Sequence, residues 1–567
     1  KQLSNLVTRL VEANSAKETL EIFNEYNKLR EHLETMSTLV EIRATIDTTD
    51  KFYEGEREFW DEFTPELASL QSKFDKEMYN SKFKDELKKE IGEHYFNLIE
   101  TTLKVFSDEI IDDLKEEMLN DLSDLIKIPS VGDEPIGSCP FGSEVQKVFE
   151  SFLEIGKRDG FDICNVDNYG GHIEFKGESE DIFALLCHVD VVPAGSGWDQ
   201  DPFTATVKDG KLYGRGAIDD KGPTVAAYYA MKALKRAGFK PKKNIRLIIG
   251  LDEETNWDGI KYYLKKEKTP CMGFAPDADF PVIHCEKGLI VFDLIKKIEK
   301  AENLNEHRVE LVSLKGGNAP NMVADRVLAS IENADLTNIV NSYVERTGHT
   351  VQCEKTKTGC VIKVAGVSAH GAMPEKGVNA ITVFCELVKD VEFSNDRINH
   401  FIKFYNEKIG FNFHGENFGI DFEDAPSGKL NFNVGMLSID EDNIKLTINI
   451  RYPATMTEDD IYAGMEKTVT GYEVVKIDHL APLYVAKDHE LVKVLMEVYR
   501  EFTGDNETEP LVIGGATYAR TIPNCVAFGP VFPGEASVEH QPNEFICIES
   551  MIKSTKMYAE AIYRLCK

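Results

Sequence analysis

Apolar and polar positions along this chain fall into three textures. In the first, unbroken apolar runs end abruptly in polar residues: Ile182, Phe183, Ala184, Leu185, Leu186 and Cys187 lead into His188-Val189-Asp190, and Leu247, Ile248 and Ile249 lead through Gly250-Leu251 into Asp252-Glu253-Glu254. Such runs predict strands buried on both faces, with polar groups delivered at their carboxyl ends. Between them Pro223 opens a helical spacing through Ala226, Ala227, Ala230, Leu234 and Ala237 that stops at Gly238, with proline in the first turn and glycine past the last. From Gly288 to about Asp478 the texture changes to alternating strand-like runs (308–314, 360–364, 430–436, 444–450) among helical ones (380–388, 459–465), which predicts an inserted α+β domain. The first hundred residues are charged and helical in spacing: Leu3, Leu6, Val7, Leu10 and Val11, then Phe23, Tyr26, Leu29 and Leu33. Thr64-Pro65 predicts the cap and first turn of a further helix. A helix through Lys104, Phe106, Ile110, Leu114, Met118 and Leu122 is expected to carry this segment into residues 126–131. The predicted organisation is an all-α segment (1–103), an α/β domain in two pieces (104–287 and 483–567), and an α+β insertion between them (288–482). The α/β domain is expected to be a mixed open sheet with helices on both faces.

Composition narrows the function classes. A chain of 567 residues has room for three or four domains, each burying its own core. A formal charge of −32 argues against nucleic acid and anionic membranes as partners. Eleven cysteines without a Cys-x-x-Cys spacing fit free thiols in a reducing compartment. No apolar run approaches a membrane span and the opening residues carry no signal-like pattern, so a cytoplasmic protein is expected.

The chemistry is concentrated at the ends of the apolar runs. His188, Asp219, Glu254 and Asp277 lie within 90 residues of one another, and His540 stands near the far end. Two imidazoles and three carboxylates suit a pair of Zn²⁺ ions, the −3 of the ligands against +4 leaving room for a hydroxide. Asp190, two residues after His188 in extended chain, can accept the second ring N–H of that histidine and fix its tautomer. Asp219 sits among glycines, in Gly214-Arg215-Gly216-Ala217-Ile218-Asp219-Asp220-Lys221-Gly222, ahead of the Pro223 helix. Of Glu253 and Glu254, which point different ways in extended chain, one can bind metal while the other acts as general base. Each feature has an ordinary reading alone: a strand-end histidine, a helix-capping aspartate, an acidic turn, an Asx turn at Pro276-Asp277. Their joint occurrence in this order does not.

These motifs resemble those of the cocatalytic zinc peptidases that include carboxypeptidase G, carnosinases, acetylornithine deacetylase and succinyl-diaminopimelate desuccinylase, and most of all the PepV-type bacterial dipeptidases, over residues 104–567. The resemblance implies a zinc exopeptidase-like fold whose insertion is a lid over the active site. It implies that His188 and Asp277 bind one zinc, Glu254 and His540 the other, and Asp219 both across a cis Asp219–Asp220 peptide. Co²⁺ or Mn²⁺ can substitute. Asp190 becomes the orienting acid and Glu253 the base on a hydroxide shared by the metals. From the lid, His370 in Gly366-Val367-Ser368-Ala369-His370-Gly371 would polarise the scissile carbonyl. Asn318 and Arg451 match positions that hold substrate, and Thr517 in Gly514-Gly515-Ala516-Thr517 matches a loop along the substrate backbone. The implied activity is zinc-dependent hydrolysis of dipeptides with a free amino terminus, by a cytoplasmic monomer in which the insertion fills the role of a partner subunit. Two alternatives stand beside it: an N-acyl amino acid deacylase or desuccinylase of the same fold, and a non-catalytic scaffold with a helical partner-binding arm. Residues 1–103 resemble the N-terminal portion of oligoendopeptidase F, yet the His-Glu-x-x-His motif on which that family depends is nowhere in the chain. The segment is then expected to be a fragment without an active site.

Overall fold

The computed structural model describes residues 2–46, residues 70–99 apart from 72, 76, 80, 94, 97 and 98, and residues 109–298 and 308–567. The helix start expected at Thr64-Pro65, and Lys104 and Phe106 of the connecting helix, lie outside the described residues.

Among the described residues the chain builds two large sheets. The first, of nine strands, has a parallel centre: Ile182–His188 lies between Asn244–Gly250 and Met272–Ala275, with His188 opposite Gly250 and Leu185 opposite Phe274. Cys525–Ala527 extends the sheet in parallel beside Met272–Ala275, and Ile283–Glu286 follows it. Every residue of Ile182–His188 is buried, and the alternation of its side chains explains why. Phe183, Leu185 and Cys187 pack into one core with the helices Lys115–Ile126, Ser143–Arg158, Lys221–Arg236, Glu490–Thr503 and Ile548–Cys566. Ala184 and Leu186 pack on the other face against Trp257, Ile260 and Tyr263 of the turn and helix at Asp258–Lys266, and against Tyr518. Gly250 is needed at its strand end because Tyr518 packs on it: a Cβ there would lie 2.1 Å from the tyrosine ring. This is the α/β fold with helices on both faces that the patterning predicts.

The second sheet is antiparallel, of eight strands, and runs from Thr350–Lys355 at one edge to Glu473–Leu480 at the other. Its apolar face is covered by helices Thr337–Thr347, Ala380–Leu387, Asp396–Lys408 and Glu458–Met465, which share a separate core with it. The chain passes between the sheets twice, through Lys287, between Ile283–Glu286 and Gly288–Lys297, and through Ala481-Pro482, between Glu473–Leu480 and Leu483–Tyr484.

The described part of the first hundred residues is helical and shares the core of the first sheet. Tyr26 stacks on Phe74 with ring centroids 3.7 Å apart, and the Tyr79 hydroxyl hydrogen-bonds that of Tyr563 on the C-terminal helix. The connecting helix differs from its expected form: a turn at Leu114 separates residues 109–113 from Lys115–Ile126. Ile111, Leu114, Met118 and Leu122 are nevertheless all buried.

Candidate metal centre and substrate edge

Strand ends of the first sheet and turns around it bring side chains to one place. His188, at the end of its strand, is 1 % exposed, and its Nε2 lies 3.1 Å from Asp219 Oδ1 and 3.7 Å from Asp277 Oδ2. Asp219 turns its other oxygen to His540, whose Nε2 lies 2.9 Å from Asp219 Oδ2 and 3.2 Å from Glu254 Oε2. His540 reaches this position from a left-handed backbone conformation, φ 62°. The donors form two groups, His188 with Glu253 and Asp277, and Asp219 with Glu254 and His540, the ligand atoms of each lying within 4.8 Å of one another. Asp219, through its two oxygens, touches a histidine of each group, and the Asp219–Asp220 peptide is cis.

Charge is not balanced inside this cluster. Burial holds the Glu253 and Asp277 carboxyls well above their usual range and raises that of Glu254. Hydrogen bonding of its ring N–H to the Asp219 and Glu254 carboxylates lifts His540 to about 10, which favours a positive imidazolium beside the acids. One oxygen of Glu254 is buried with no hydrogen-bond partner. Such an atom costs about 1–3 kcal/mol unless something not yet counted meets it. Imidazole and carboxylate donors with an orphaned, convergent oxygen fit divalent metal ions of the zinc type.

Around the donors lies a shell of buried polar groups, in which Asp190 Oδ1, Asp220 Oδ1 and Arg215 Nε have no hydrogen-bond partner, and most of it does not show in a sequence. Asp190 carries one departure from expectation: His188 Nδ1 is closer to the main-chain carbonyl of Asp190 (3.0 Å) than to its carboxylate (3.4 Å). The carboxylate instead accepts the Glu254 N–H at 3.0 Å, tying the His188 strand end to the acidic turn. Fully buried Glu544 accepts the N–H groups of Ile218 (2.9 Å) and Asp219 (3.2 Å) and pairs with buried Arg215. It thereby fixes the loop that presents Asp219. Asp220 accepts the His188 N–H at 3.2 Å and the Thr224 hydroxyl at 3.0 Å, while Lys221 donates to the carbonyls of Leu125 and Ile128. Asp252, first of the acidic run, caps the next helix through the N–H groups of Asp258 (2.6 Å) and Gly259 (3.1 Å). Burial pushes Asp252 up to about 6. Arg215 between two glycines, and Glu544 four residues past His540, were the visible signals for this shell.

None of the four residues expected from the second sheet and its neighbouring loop belongs to the two donor groups. His370 is exposed, with its Nδ1 accepting the Ala372 N–H at 3.3 Å. Partial burial of its ring first, and the Arg451 charge second, lower its basicity. Arg451, last but one in the strand Asn443–Tyr452, is 5 % exposed and leaves its Nε without a partner; burial and Arg520 lower it to about 10. Asn318 is exposed on the loop after Glu310–Gly316. Thr517 is otherwise engaged: its hydroxyl donates to buried Glu286 at 2.7 Å and accepts the Ala519 N–H at 3.2 Å. Its side chain therefore shapes the loop, and any contact to substrate falls to the backbone around it.

Comparisons with known proteins agree with this architecture. Residues 184–564 match peptidase family M20/M25/M40, and residues 1–106 match the peptidase M3 N-terminal domain. A Bacillus subtilis (strain 168) protein named "Putative dipeptidase YtjP" is 40 % identical over 459 residues, covering 80 % of this chain and 98 % of that protein. Among solved structures, human carnosine dipeptidase 1 aligns over 82 % of this chain and 98 % of its own, with 17 % identity and a TM-score of 0.50. Aminoacylhistidine dipeptidase from Vibrio alginolyticus aligns over 79 % and 96 %, with 12 % identity and a TM-score of 0.50. At those identities the structures speak for the fold, and the family follows from the sequence matches. A sheet with a parallel centre beside a cluster of two histidines and four acids, an inserted antiparallel sheet, and a family match over two thirds of the chain lead to one placement: this chain is a member of peptidase family M20/M25/M40, carrying a peptidase M3 N-terminal domain-like segment ahead of its catalytic part.

Proposed function

We propose that the chain is a metal-dependent dipeptidase, with two zinc ions as its cofactors. The observation that carries the reading is Asp219, one carboxylate within bonding reach of a histidine from each donor group. His188 and Asp277 would hold one ion, Glu254 and His540 the other, and Asp219 both. When bound, such ions act as Lewis acids that acidify water and polarise a carbonyl.

The remaining work belongs to the side chains. Glu253, whose carboxylate burial makes more basic than in water, takes the proton of the attacking water and returns it to the leaving amine. His370, with Nδ1 committed to accepting the Ala372 N–H, carries its proton on Nε2 when neutral and can donate there to the carbonyl oxygen as charge develops. Arg451, whose buried Nε has no partner, would bind a C-terminal carboxylate, the match for which arginine is suited. Asn318 on the neighbouring loop would add a contact to substrate. A free amino terminus is favoured by the surplus of carboxylates at the other end of the site.

The test is a comparison of free dipeptides with their N-acetylated forms, with zinc content measured in the same preparation. Hydrolysis of the free forms by zinc-loaded protein is expected. Preference for the blocked forms would instead make the chain an N-acyl amino acid deacylase, and no turnover of either would leave a scaffold role. No helix among the described residues is long and apolar enough to cross a membrane, and all eleven cysteines are unpaired.

A further inference from the structure

Arg520 stands where the two sheets are joined. It lies on the short helix Tyr518–Thr521, on no strand that either sheet needs, yet its side chain is 3 % exposed. Nη1 donates to the carbonyl of Ala481 at 2.9 Å, and Nη2 to the carbonyl of Lys287 at 3.3 Å. These are residues of the two connections by which the chain passes between the sheets, far apart in sequence and adjacent in space. Nη2 also donates to the carbonyl of Gly515 at 2.9 Å. The charge is met by Glu286, fully buried, at 2.9 Å from Nε and 2.8 Å from Nη2. Glu286 in turn accepts the N–H (3.2 Å) and hydroxyl (2.7 Å) of Thr517. One planar fork, with donors in fixed directions, thus ties both crossings and the Gly515–Thr517 loop into a single unit.

What that unit holds lies against the second sheet. Gly514 approaches it so closely that a Cβ there would come within 2.6 Å of Ala372 and 3.8 Å of Arg451 Cγ. Ala372 follows His370 by two residues and is bonded to its ring. At the first crossing Gly288 faces the Tyr452 ring, with room for a Cβ only 2.0 Å from it. We propose that Arg520 is a positioning residue that sets the orientation of the inserted domain on the catalytic sheet, and through it the placement of His370 and Arg451. The kinetic consequence rests on the dipeptidase reading; the structural one does not.

The experiment uses the full-length, zinc-loaded chain and the substitution Arg520→Lys, which keeps a charge beside Glu286 but cannot reach three carbonyls at once. Backbone hydrogen exchange is followed by mass spectrometry without substrate. Exchange in the peptides spanning 284–290, 479–485 and 512–518 is expected to rise together, about tenfold or more, as a local opening does. The strands Ile182–His188 and Asn443–Tyr452 and the zinc content should be unchanged. With a dipeptide substrate, kcat should fall and KM rise together, for a loss of about 10²-fold in kcat/KM, as misplacement of groups remote from the chemistry produces. Should Arg520→Lys fail to fold, Glu286→Gln, which loosens the same fork without removing it, should show the same exchange pattern more weakly. Exchange that rises at only one crossing, at neither, or evenly over the whole chain overturns the proposal. If the joint local rise is seen but dipeptides are not turned over, the positioning role stands and the dipeptidase reading falls.

Discussion

The metal centre and the junction between the sheets both bury charge, and they treat it in opposite ways. At the junction, Arg520 spends its guanidinium on Glu286 and three carbonyls, and Glu286 is filled by Thr517 and Arg520. At the centre, four acids and two histidines converge, burial holds Glu253 and Asp277 toward their neutral forms, and an oxygen of Glu254 has no partner. A protein interior tolerates charge only when it is paired and hydrogen-bonded. A paired ion such as Arg520–Glu286 therefore marks architecture, and a convergence of uncompensated acids marks a place for something that is not protein. Burial alone does not separate the two, since Glu286 and Glu544 are as deeply buried as His188.

The contrast is broken most severely at Asp219. Asp219→Ala removes the one carboxylate in reach of both histidines. Both metals and all measurable turnover should be lost, while the fold, held by Glu544 and Arg215 through backbone groups, stays intact by circular dichroism. Full metal content by elemental analysis would refute the bridging role. Glu253→Gln comes next. It keeps shape but cannot take a proton, so turnover should fall about 10²–10⁴-fold with zinc and substrate affinity near normal. Loss of zinc from this variant, and its retention in Glu254→Gln, would exchange the two assignments.

How much of this contrast the sequence displays depends on whether an interaction is local. The strand Ile182–His188 and the helix from Lys221 were legible because period and caps are local properties, and the donor set was visible as polar residues at the end of that strand and in the turns beside such elements. The junction was not. Glu286 to Thr517 spans 231 residues and Arg215 to Glu544 spans 329, and nothing in either stretch announces the other. Thr517 shows the same limit: its glycine-rich loop is visible in the sequence, while the Glu286 carboxylate that its hydroxyl meets is not. Asp190 shows a finer limit: extended-chain alternation puts it near His188, but only the folded turn decides whether its carbonyl or its carboxylate is closer.

A smaller effect follows from opening an account that is now closed. Arg215→Leu would leave the buried Glu544 carboxylate without its cation, although two backbone N–H groups still reach it. Breaking a buried pair from one side costs about 3–5 kcal/mol. The denaturant midpoint of the metal-loaded protein should fall accordingly, with the m-value unchanged. Because Glu544 holds the Asp219 loop, some loss of metal affinity should accompany it. A loss of activity without any loss of stability would place Arg215 in the reaction instead.

The smallest effect concerns a third way of burying a titratable group, which is to discharge it. His172, on the strand Gly171–Phe175, is lowered to about 3 by burial first and by Arg246 second. The Tyr263 oxygen accepts a hydrogen bond from Arg246 Nη1 at 3.3 Å and lies 2.8 Å from His172 Nδ1, so its hydroxyl can donate only to a neutral ring. Glu174 and Glu267 also face this position, but both are taken up by Arg246, at 2.7 and 3.1 Å. The folded pKa lies below the unfolded value of about 6.5, so the unfolded chain binds the extra proton first. The contribution to stability is complete above about pH 6.5 and is lost progressively as pH falls toward 3. His172→Gln keeps an acceptor for Tyr263 and cannot charge. Its unfolding free energy should fall less steeply than that of the parent between pH 6.5 and 4.5, measured by urea titration in matched buffers. Identical slopes in the two proteins would mean that the charged imidazole finds a partner in the folded state, and that His172 belongs with Arg520 and Glu286 rather than apart from them.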